Sequence, residues 1–458
     1  MNVTLTLLAS KTAAHLSQLL GRGGGGALPG VVAEMLDPHL SGKLAAGLSG
    51  GVIVVTGTNG KTTTTKLIGE ILSAHGVKVV TNSSGSNLKR GVVSALIAAA
   101  DMRGKMTATV GLFEVDEASL RLVAPEIKPT HIIVTNLFRD QLDRYGELDT
   151  TAKLIGEGIA ATSAELYLNA DDPLVASLAK YAGKPADVHY FGIEGVPVNP
   201  VGEHQTAIDS DRCPECHSRL EFSRVFYGHV GHYRCPKGDF SRPAGEVVIT
   251  NVETADRMGS RFVAAIRGKR STYDFPLPGT YNLYNALAAI SLGQGVGIGV
   301  ELIQQTLAVT QAAFGRVERV EIDGRTLVLL LIKNPAGFTQ VLQTFVIGRE
   351  AVRAMFVIND LAADGRDVSW LWDVPIEALA GSNPTVLTAG IRGSDMAMRL
   401  HYAGVKSTPA ASLAEGIDAL VAATPVGETA YILPTYTAML EVRKLLQSRS
   451  KTMQEMPR

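Results

Sequence analysis

The 458-residue chain has little cysteine, little tryptophan, no surplus of either charge and no long apolar run. Each shortage excludes something. Lysine and arginine total 43 against 44 aspartates and glutamates, a formal net charge of −1, so the basic surplus usual in a general nucleic-acid binder is missing. The longest strongly apolar stretches, Val92 to Ala100 and Leu327 to Ile332, fall far short of the ~20 residues that span a bilayer. Met1 to Ser10 is mildly apolar but lacks a basic lead-in, and Lys11 and His15 arrive too early for a signal-peptide core. A soluble cytoplasmic protein is expected. The three cysteines, Cys213, Cys216 and Cys235, are odd in number and clustered, which makes a poor disulfide framework and a better metal site. A hydrophobic fraction of 46%, with 47 glycines and 20 prolines, excludes a disordered or low-complexity chain. At about 150 residues per domain the length suggests about three domains.

Residues 1–50 read as a helical lead-in, with helical periodicity from Thr12 to Leu20, a glycine-rich break at 21–26, and a fresh helix from Pro29 to about Met35. From Gly51 strands and helices alternate. Val52 to Val55, Val77 to Val80, Thr107 to Phe113, His131 to Thr135 and Glu165 to Leu168 read as strands, with a helix from about Lys61 to Ala74. That rhythm predicts an open α/β sheet over residues 51–314. Residues 203–245 interrupt it with all three cysteines and with His204, His217, His229 and His232 of the ten histidines, a small insertion. The α/β pattern is expected to resume near Glu246, with a helix over Leu283 to Leu292. A second α/β unit is expected over 315–458, with strands at Leu327 to Ile332, Ala354 to Ile358, Pro384 to Leu387 and Ala430 to Leu433.

The strongest motif is Thr56-Gly57-Thr58-Asn59-Gly60-Lys61-Thr62-Thr63-Thr64, between a predicted strand and helix. Successive backbone N–H groups at such a turn surround phosphate oxygens, and the helix N-terminus adds positive potential. Thr58, Asn59, Gly60, Lys61, Thr62 and Thr63 are therefore the nucleotide-phosphate candidates. Lys61 would bridge the β- and γ-phosphates and the Thr62 hydroxyl would bind Mg²⁺. Val55 stands where the strict Walker pattern has its first glycine, so the loop is a variant. Glu114 ends a predicted strand, where ligands of open α/β sheets collect, and its carboxylate would complete the Mg²⁺ shell; the plainer reading is a solvated helix cap.

The loop resembles that of the Mur ligases, which form amide bonds through acyl phosphates. Thr135-Asn136-Leu137-Phe138-Arg139-Asp140-Gln141-Leu142-Asp143, Leu168-Asn169-Ala170-Asp171-Asp172-Pro173 and Gly279-Thr280-Tyr281-Asn282-Leu283-Tyr284-Asn285-Ala286 also resemble family segments. The resemblance implies a Mur-ligase-like central ATPase domain and a C-terminal Rossmann-like α/β domain, with Asn282 at the adenine and Arg316 at the nucleotide phosphates. The cysteine insertion, with Lys333-Asn334-Pro335-Ala336-Gly337-Phe338, Ala363-Asp364-Gly365-Arg366-Asp367-Val368-Ser369-Trp370 and Leu433-Pro434-Thr435-Tyr436-Thr437-Ala438-Met439-Leu440, is similar to the MurT branch nearly end to end. That resemblance implies ATP-dependent amidation of the D-glutamate α-carboxylate in the peptidoglycan stem peptide of lipid II. Ammonia would come from a GatD-like glutaminase, and contact with the inner membrane face would be transient. Three departures from common Mur ligases stand out. Gln141 replaces a metal-binding His, Lys153 lies two residues out of register with a carbamylated Lys, and the segment around Leu330 to Lys333 replaces Asp-Tyr-Ala-His.

The residues supply their own argument for a partner. A glutaminase of the common type needs a nucleophilic Cys near a His. Every cysteine here has metal-like spacing and none sits at a strand-to-helix elbow, so ammonia has to come from elsewhere. In the MurT family a C-terminal Asp orients the partner's histidine. Asp364 and Asp367 are the candidates here and Asp360 a weaker one, against the plain reading that they bond their own turn. Cys213-Pro214-Glu215-Cys216 reads as one half of a Zn²⁺ ribbon and Cys235 as the opening of the second half, and Gly238 stands where the family pattern has its fourth Cys. Three outcomes compete: Asp239, His232 or His229 as its substitute, water completing a weak site, or loss of the metal. Arginines make the insertion basic, but a scaffold role fits better than nucleic-acid binding. Two rivals remain: a stand-alone amino-acid ligase resembling folylpolyglutamate synthetases, and a nucleotide-regulated binding module that docks through its ribbon.

Overall fold

A computed structural model describes residues 3–19, 27–82, 86–140, 148–195, 209–256, 258–312, 317–349, 351–382 and 384–449. Arg316, Gln141, His204 and the glycine-rich run 21–26 lie outside the described residues. The chain divides into two compact units: one takes most residues up to Thr310, and the other starts at Gln311 and includes the short stretches around Arg139 and Asp209.

In the first unit the run Val52-Ile53-Val54-Val55 is apolar at every position, the pattern of a parallel strand covered on both faces. It forms β1 (Val52–Thr56), wholly buried. The other parallel strands are β2 (Val79–Thr81), β3 (Val110–Glu114), β4 (His131–Val134), β5 (Glu165–Asn169) and β6 (Val188–Ile193). A hairpin, β7 (Glu221–Tyr227) and β8 (Val230–Arg234), forms a separate small sheet within the cysteine insertion. Then come β9 (Val247–Ala255), β10 (Ser260–Ile266) and β11 (Lys269–Phe275). Among the described residues the main sheet has nine strands in the order β11-β10-β9-β6-β5-β4-β1-β3-β2. Its core packs helices such as Leu120–Ile127 and Leu148–Ala160 against Val54, Phe113, Ile132 and Leu166. Strand β1 pairs in parallel with β3 on one side and β4 on the other. The connections run opposite ways from β1, which opens a crevice at the carboxyl ends of these strands.

The structure corrects four expectations. The α/β alternation does not resume at Glu246, because β9, β10 and β11 form an antiparallel meander on the same sheet. The β10–β11 turn is Arg267–Gly268, both at positive φ (47° and 85°), a two-residue hairpin without the Asn-Gly signature that reveals such turns in sequence. The first helix runs Val3–Leu19 rather than from Thr12; Leu7 is buried while Leu5 and Leu8 are exposed, and leucines on both faces hide the period. Strands β2 and β3 start later than expected. The second unit also contains two strands the sequence did not reveal, β12 (Glu318–Ile322) and β16 (Ser407–Pro409).

The second unit's other strands are β13 (Arg325–Leu329), β14 (Arg353–Val357), β15 (Thr385–Ala389) and β17 (Thr429–Pro434), ordered β12-β13-β17-β14-β15-β16. Among the described residues only the β12–β13 pair of this sheet is antiparallel. Alternate residues of β14 feed two cores, Ala354 and Phe356 one, Met355 and Val357 the other. Among the described residues no helix is long and apolar enough to cross a membrane.

Candidate active site

The phosphate loop leaves the carboxyl end of β1 and enters the helix Lys61–Ala74 through Gly60, the N-cap, at φ 88°. Only glycine fits there, since a Cβ would lie 2.1 Å from Asn285 Oδ1. The loop is held from behind by asparagines. Asn136 accepts from the Asn59 backbone N–H at 2.9 Å and donates to its carbonyl at 3.0 Å, while Thr135 Oγ1 donates to the same carbonyl at 2.8 Å. Asn285 accepts from Thr64 Oγ1 at 3.3 Å and donates to Asn282 Oδ1 at 3.0 Å, and Asn282 donates to the Pro278 carbonyl at 2.7 Å. Asn282 is thus buried beside the loop's supports on the helix Thr280–Gly295.

The expected metal pair lies together. Thr62 Oγ1 donates to Glu114 Oε2 at 2.8 Å, and Glu114 is the last residue of β3. Asn82 fixes that residue from both sides, accepting from its N–H at 3.0 Å and donating to its carbonyl at 2.8 Å. Two half-buried oxygens at a strand end, one of them a carboxylate, suit a hard divalent cation. Thr63 faces inward and is buried. Lys61 is 8% exposed and its Nζ lies 3.2 Å from Glu117, itself 6% exposed. Lys61 also donates to the Thr58 carbonyl at 3.3 Å. A phosphate arriving at Lys61 therefore competes with a carboxylate already in place. Glu117, Asn82, Asn136 and Asn285 had no assigned role from sequence; for Asn82, Glu117 and Asn136 the signal that could have found them is their place just past the ends of parallel strands, whereas Asn285 lies on the helix Thr280–Gly295 and carries no such mark.

The three cysteine sulfurs lie within 4.8 Å of one another, with Cys216 and Cys235 3.5 Å apart. Asp239 Oδ2 is 3.9 Å from Cys235 Sγ, and its carboxylate pushes the Cys216 thiol above its usual range. His232 is turned elsewhere, its Nε2 2.6 Å from the Ile193 carbonyl. His229 is wholly buried at the far end of the hairpin. The insertion is tied to the sheet by Arg242, which lies 2.5 Å from the fully buried Asp171 carboxylate, and Tyr284 donates to that carboxylate at 2.7 Å. Burial pushes the Asp171 carboxyl upward, and Arg242 and Tyr284 oppose that push.

Residues 55–211 match the family described as Mur ligase middle domain, and residues 331–439 that described as MurT ligase C-terminal. The MurT subunit of the glutamine-hydrolysing lipid II isoglutaminyl synthase of Streptococcus pneumoniae is 34% identical over 100% of this chain and 99% of its own length. The chain belongs to the MurT branch of the Mur ligase family. The corresponding Staphylococcus aureus subunit is 32% identical over 86% of this chain and 88% of its own. In fold, a pseudomurein peptide ligase type C from Methanothermus fervidus superposes with a TM-score of 0.70, at 21% identity, over 88% of this chain and 79% of that one. MurF from Acinetobacter baumannii gives 0.63 at 15% identity over 91% and 79%.

Three aspartates of this MurT-type chain follow β14. Asp364 is buried and accepts from Thr437 N–H at 2.7 Å, from Thr437 Oγ1 at 2.5 Å and from Leu361 N–H at 3.2 Å, which ties the loop to the start of the helix Tyr436–Arg449. Asp367 is exposed and accepts from Ser369 N–H at 2.8 Å and Ser369 Oγ at 2.9 Å, a turn bond. Asp360 lies 3.8 Å from Arg392. Lys153 is exposed on its helix. Asp140, next to the absent metal-binding His position, pairs with Lys333 at 2.6 Å within the second unit.

Proposed function

We propose that the chain is the synthetase subunit of a lipid II isoglutaminyl synthase, converting the D-glutamate α-carboxylate of the lipid-linked stem peptide to D-isoglutamine. One observation carries the chemistry: Lys61, Thr62 and Glu114 converge at the carboxyl end of β1 and β3, behind a loop that only a glycine turn can form. The full-length likeness to the pneumococcal subunit supports the substrate class.

In this reading a carboxylate oxygen of the substrate bonds to the γ-phosphorus of ATP as the bond to the β-bridging oxygen breaks, leaving ADP and an acyl phosphate. Ammonia then adds to the acyl carbon and phosphate leaves. Mg²⁺ held by Thr62 and Glu114 would neutralise charge on the phosphoryl oxygens. Lys61 follows that charge on its flexible stem, exchanging Glu117 for phosphate oxygens, and the Gly60–Thr62 N–H groups present fixed dipoles to it. Asn282 would meet the adenine and Arg316 the phosphates.

Ammonia would be supplied by a GatD-like glutaminase as partner subunit. The second unit offers it an exposed apolar rim at the carboxyl ends of its strands, where Leu361, Ile391 and Tyr436 follow β14, β15 and β17. Asp367 has the exposed carboxylate that could orient a partner's imidazole, while Asp364 holds the loop. In the insertion Cys213, Cys216 and Cys235 would hold Zn²⁺ with Asp239 as fourth ligand, and the ion would cross-link the ribbon.

The purified chain, given ATP, Mg²⁺ and lipid II, should make amidated product from a high ammonium concentration and none from glutamine alone. Product from glutamine without a second subunit refutes the partner reading. No ATP cleavage with lipid II and ammonium refutes the function.

A further inference from the structure

The β7–β8 hairpin has two ends with different neighbours. Near one end sit the cysteines, packed with Leu220 and Tyr233. The other end, Tyr227-Gly228-His229-Val230, is buried against Phe138, far along the chain in the segment that follows β4. The Phe138 ring stacks on Tyr227 with centroids 5.5 Å apart and lies 4.6 Å from the His229 ring. Gly228 sits at φ 55°, and a Cβ there would come 2.7 Å from Phe138 Cε1, so the tip presses on this ring as closely as a backbone can.

Phe138 in turn grips the phosphate loop. Its N–H donates to Thr58 Oγ1 at 3.1 Å, and the same hydroxyl lies 3.2 Å from its carbonyl. The preceding residue, Leu137, donates to the Asp172 carboxylate at 2.8 Å. His229 Nε2 is 3.4 Å from that carboxylate, yet neither ring nitrogen of this fully buried histidine has a hydrogen-bond partner. The imidazole packs tilted against the Phe138 ring, with its Nε2 turned to Asp172. Tyr227 also meets Tyr284 edge-on at 5.7 Å, on the helix whose Asn285 holds Thr64. The hairpin tip therefore touches both supports of the loop.

We propose that Phe138 and His229 are positioning residues for the nucleotide: the ribbon's hairpin tip clamps the Phe138 ring, and through Thr58 the clamp keeps the phosphate loop in its binding shape. This rests on the ATP reading above. It assigns the insertion a task in the synthetase reaction in addition to closing a metal site. Simple core packing predicts something different, a fall in stability with unchanged nucleotide affinity.

The test measures the Kd of the full chain for a non-hydrolysable ATP analogue with Mg²⁺ by calorimetry. It also measures Tm without nucleotide, and KM for ATP against kcat in ammonium-driven amidation. Phe138→Ala and His229→Ala should weaken binding by about 3- to 30-fold, the range found for mutations that couple to a site without touching its ligand. KM should rise with little change in kcat. His229→Phe, which keeps a ring against Phe138 and gives up the nitrogen that faces Asp172, should restore the affinity. Phe222→Leu, at the cysteine end of the ribbon, is the control that lowers Tm alone. If Phe138→Ala does not fold, the His229 pair decides. Variants that lose Tm like the control and bind as the wild type does overturn the clamp. A wild-type chain that binds no nucleotide refutes the ATP reading and the clamp with it, so the two failures are distinguishable.

Discussion

Replacing Gly60 with alanine tests the phosphate loop where its geometry is tightest. Gly60 is held at φ 88°, and an L-residue in the left-handed region costs roughly 1–2 kcal/mol. The new Cβ would also sit 2.1 Å from Asn285 Oδ1, so that side chain has to leave. It then loses its bonds to Thr64 and Asn282, each worth about 0.5–1.5 kcal/mol. The expected destabilisation of the first unit is about 2–5 kcal/mol from these two sources. At about 2–4 °C per kcal/mol for a domain of this size, Tm should fall by roughly 4–20 °C. Both tryptophans, Trp370 and Trp372, belong to the second unit, so their fluorescence follows the wrong part of the chain. Hydrogen–deuterium exchange of peptides from the helix Lys61–Ala74, measured against urea, reads the right one. The decisive measurement is the double variant. In an Asn285→Ala background the clash is gone and its two bonds are already lost, so Gly60→Ala should cost only its backbone strain. The two substitutions should therefore combine with about 1–3 kcal/mol less damage than their sum. Strict additivity, or a Gly60→Ala variant within about 1 kcal/mol of wild type, refutes the packing argument.

Glu114→Gln keeps the bond to Thr62 within reach but removes a charge from the cation site, so half-maximal activity should require about tenfold or more Mg²⁺; an unchanged Mg²⁺ titration removes Glu114 from that role. Asp367→Asn should lower glutamine-driven amidation in the presence of the glutaminase and spare the ammonium-driven reaction, whereas Asp364→Asn, which cuts a buried tie to Thr437, should lower Tm and both activities; equal losses by both routes for Asp367→Asn sink its assignment. Cys213→Ser should abolish zinc in the purified protein by metal analysis, and Asp239→Ala should weaken its retention against a chelator; full retention by Asp239→Ala excludes it as fourth ligand. His131 is held below the usual histidine range by burial, with His189 acting in the same direction and Glu165 against it. Its protonation is thus easier in the unfolded chain, so the stability of the neutral ring is complete above the ordinary value of about 6.5 and is lost as pH falls toward the depressed one. Tm measured from pH 7.5 to 5.5 should fall less steeply in His131→Gln than in wild type, and parallel curves would exclude the histidine as the cause.

The strands and helices most legible in sequence were those with one dominant signal. Val52 to Val55 is β-branched and uniformly apolar, and the helix begins at Lys61 as the motif requires. The place of Glu114 at the end of β3 was readable because a charged residue closes an apolar strand. The meander β9–β11 was misread because its register depends on pairing between strands and its turn lacks the usual residues. Among the expected zinc ligands, the three cysteines lie together and Asp239 stands beside them, while His232 faces a backbone carbonyl. Sequence spacing left these candidates equal, because it does not say which way a hairpin side chain points.

The sequence by itself determined the chemistry of the phosphate turn, since Gly-Lys-Thr after a buried strand leaves few other uses for those groups, and it determined the family through motifs spread along the chain. Tertiary structure alone decided that Glu117 occupies Lys61, that asparagines from two separate segments brace the loop while Asn82 holds Glu114, and that the ribbon's tip rests on Phe138. The physical reason is range. Backbone turns and strand periodicity are local and leave a mark in neighbouring residues, whereas a hydrogen bond or ring contact between residues far apart in sequence exists only once the intervening chain has packed.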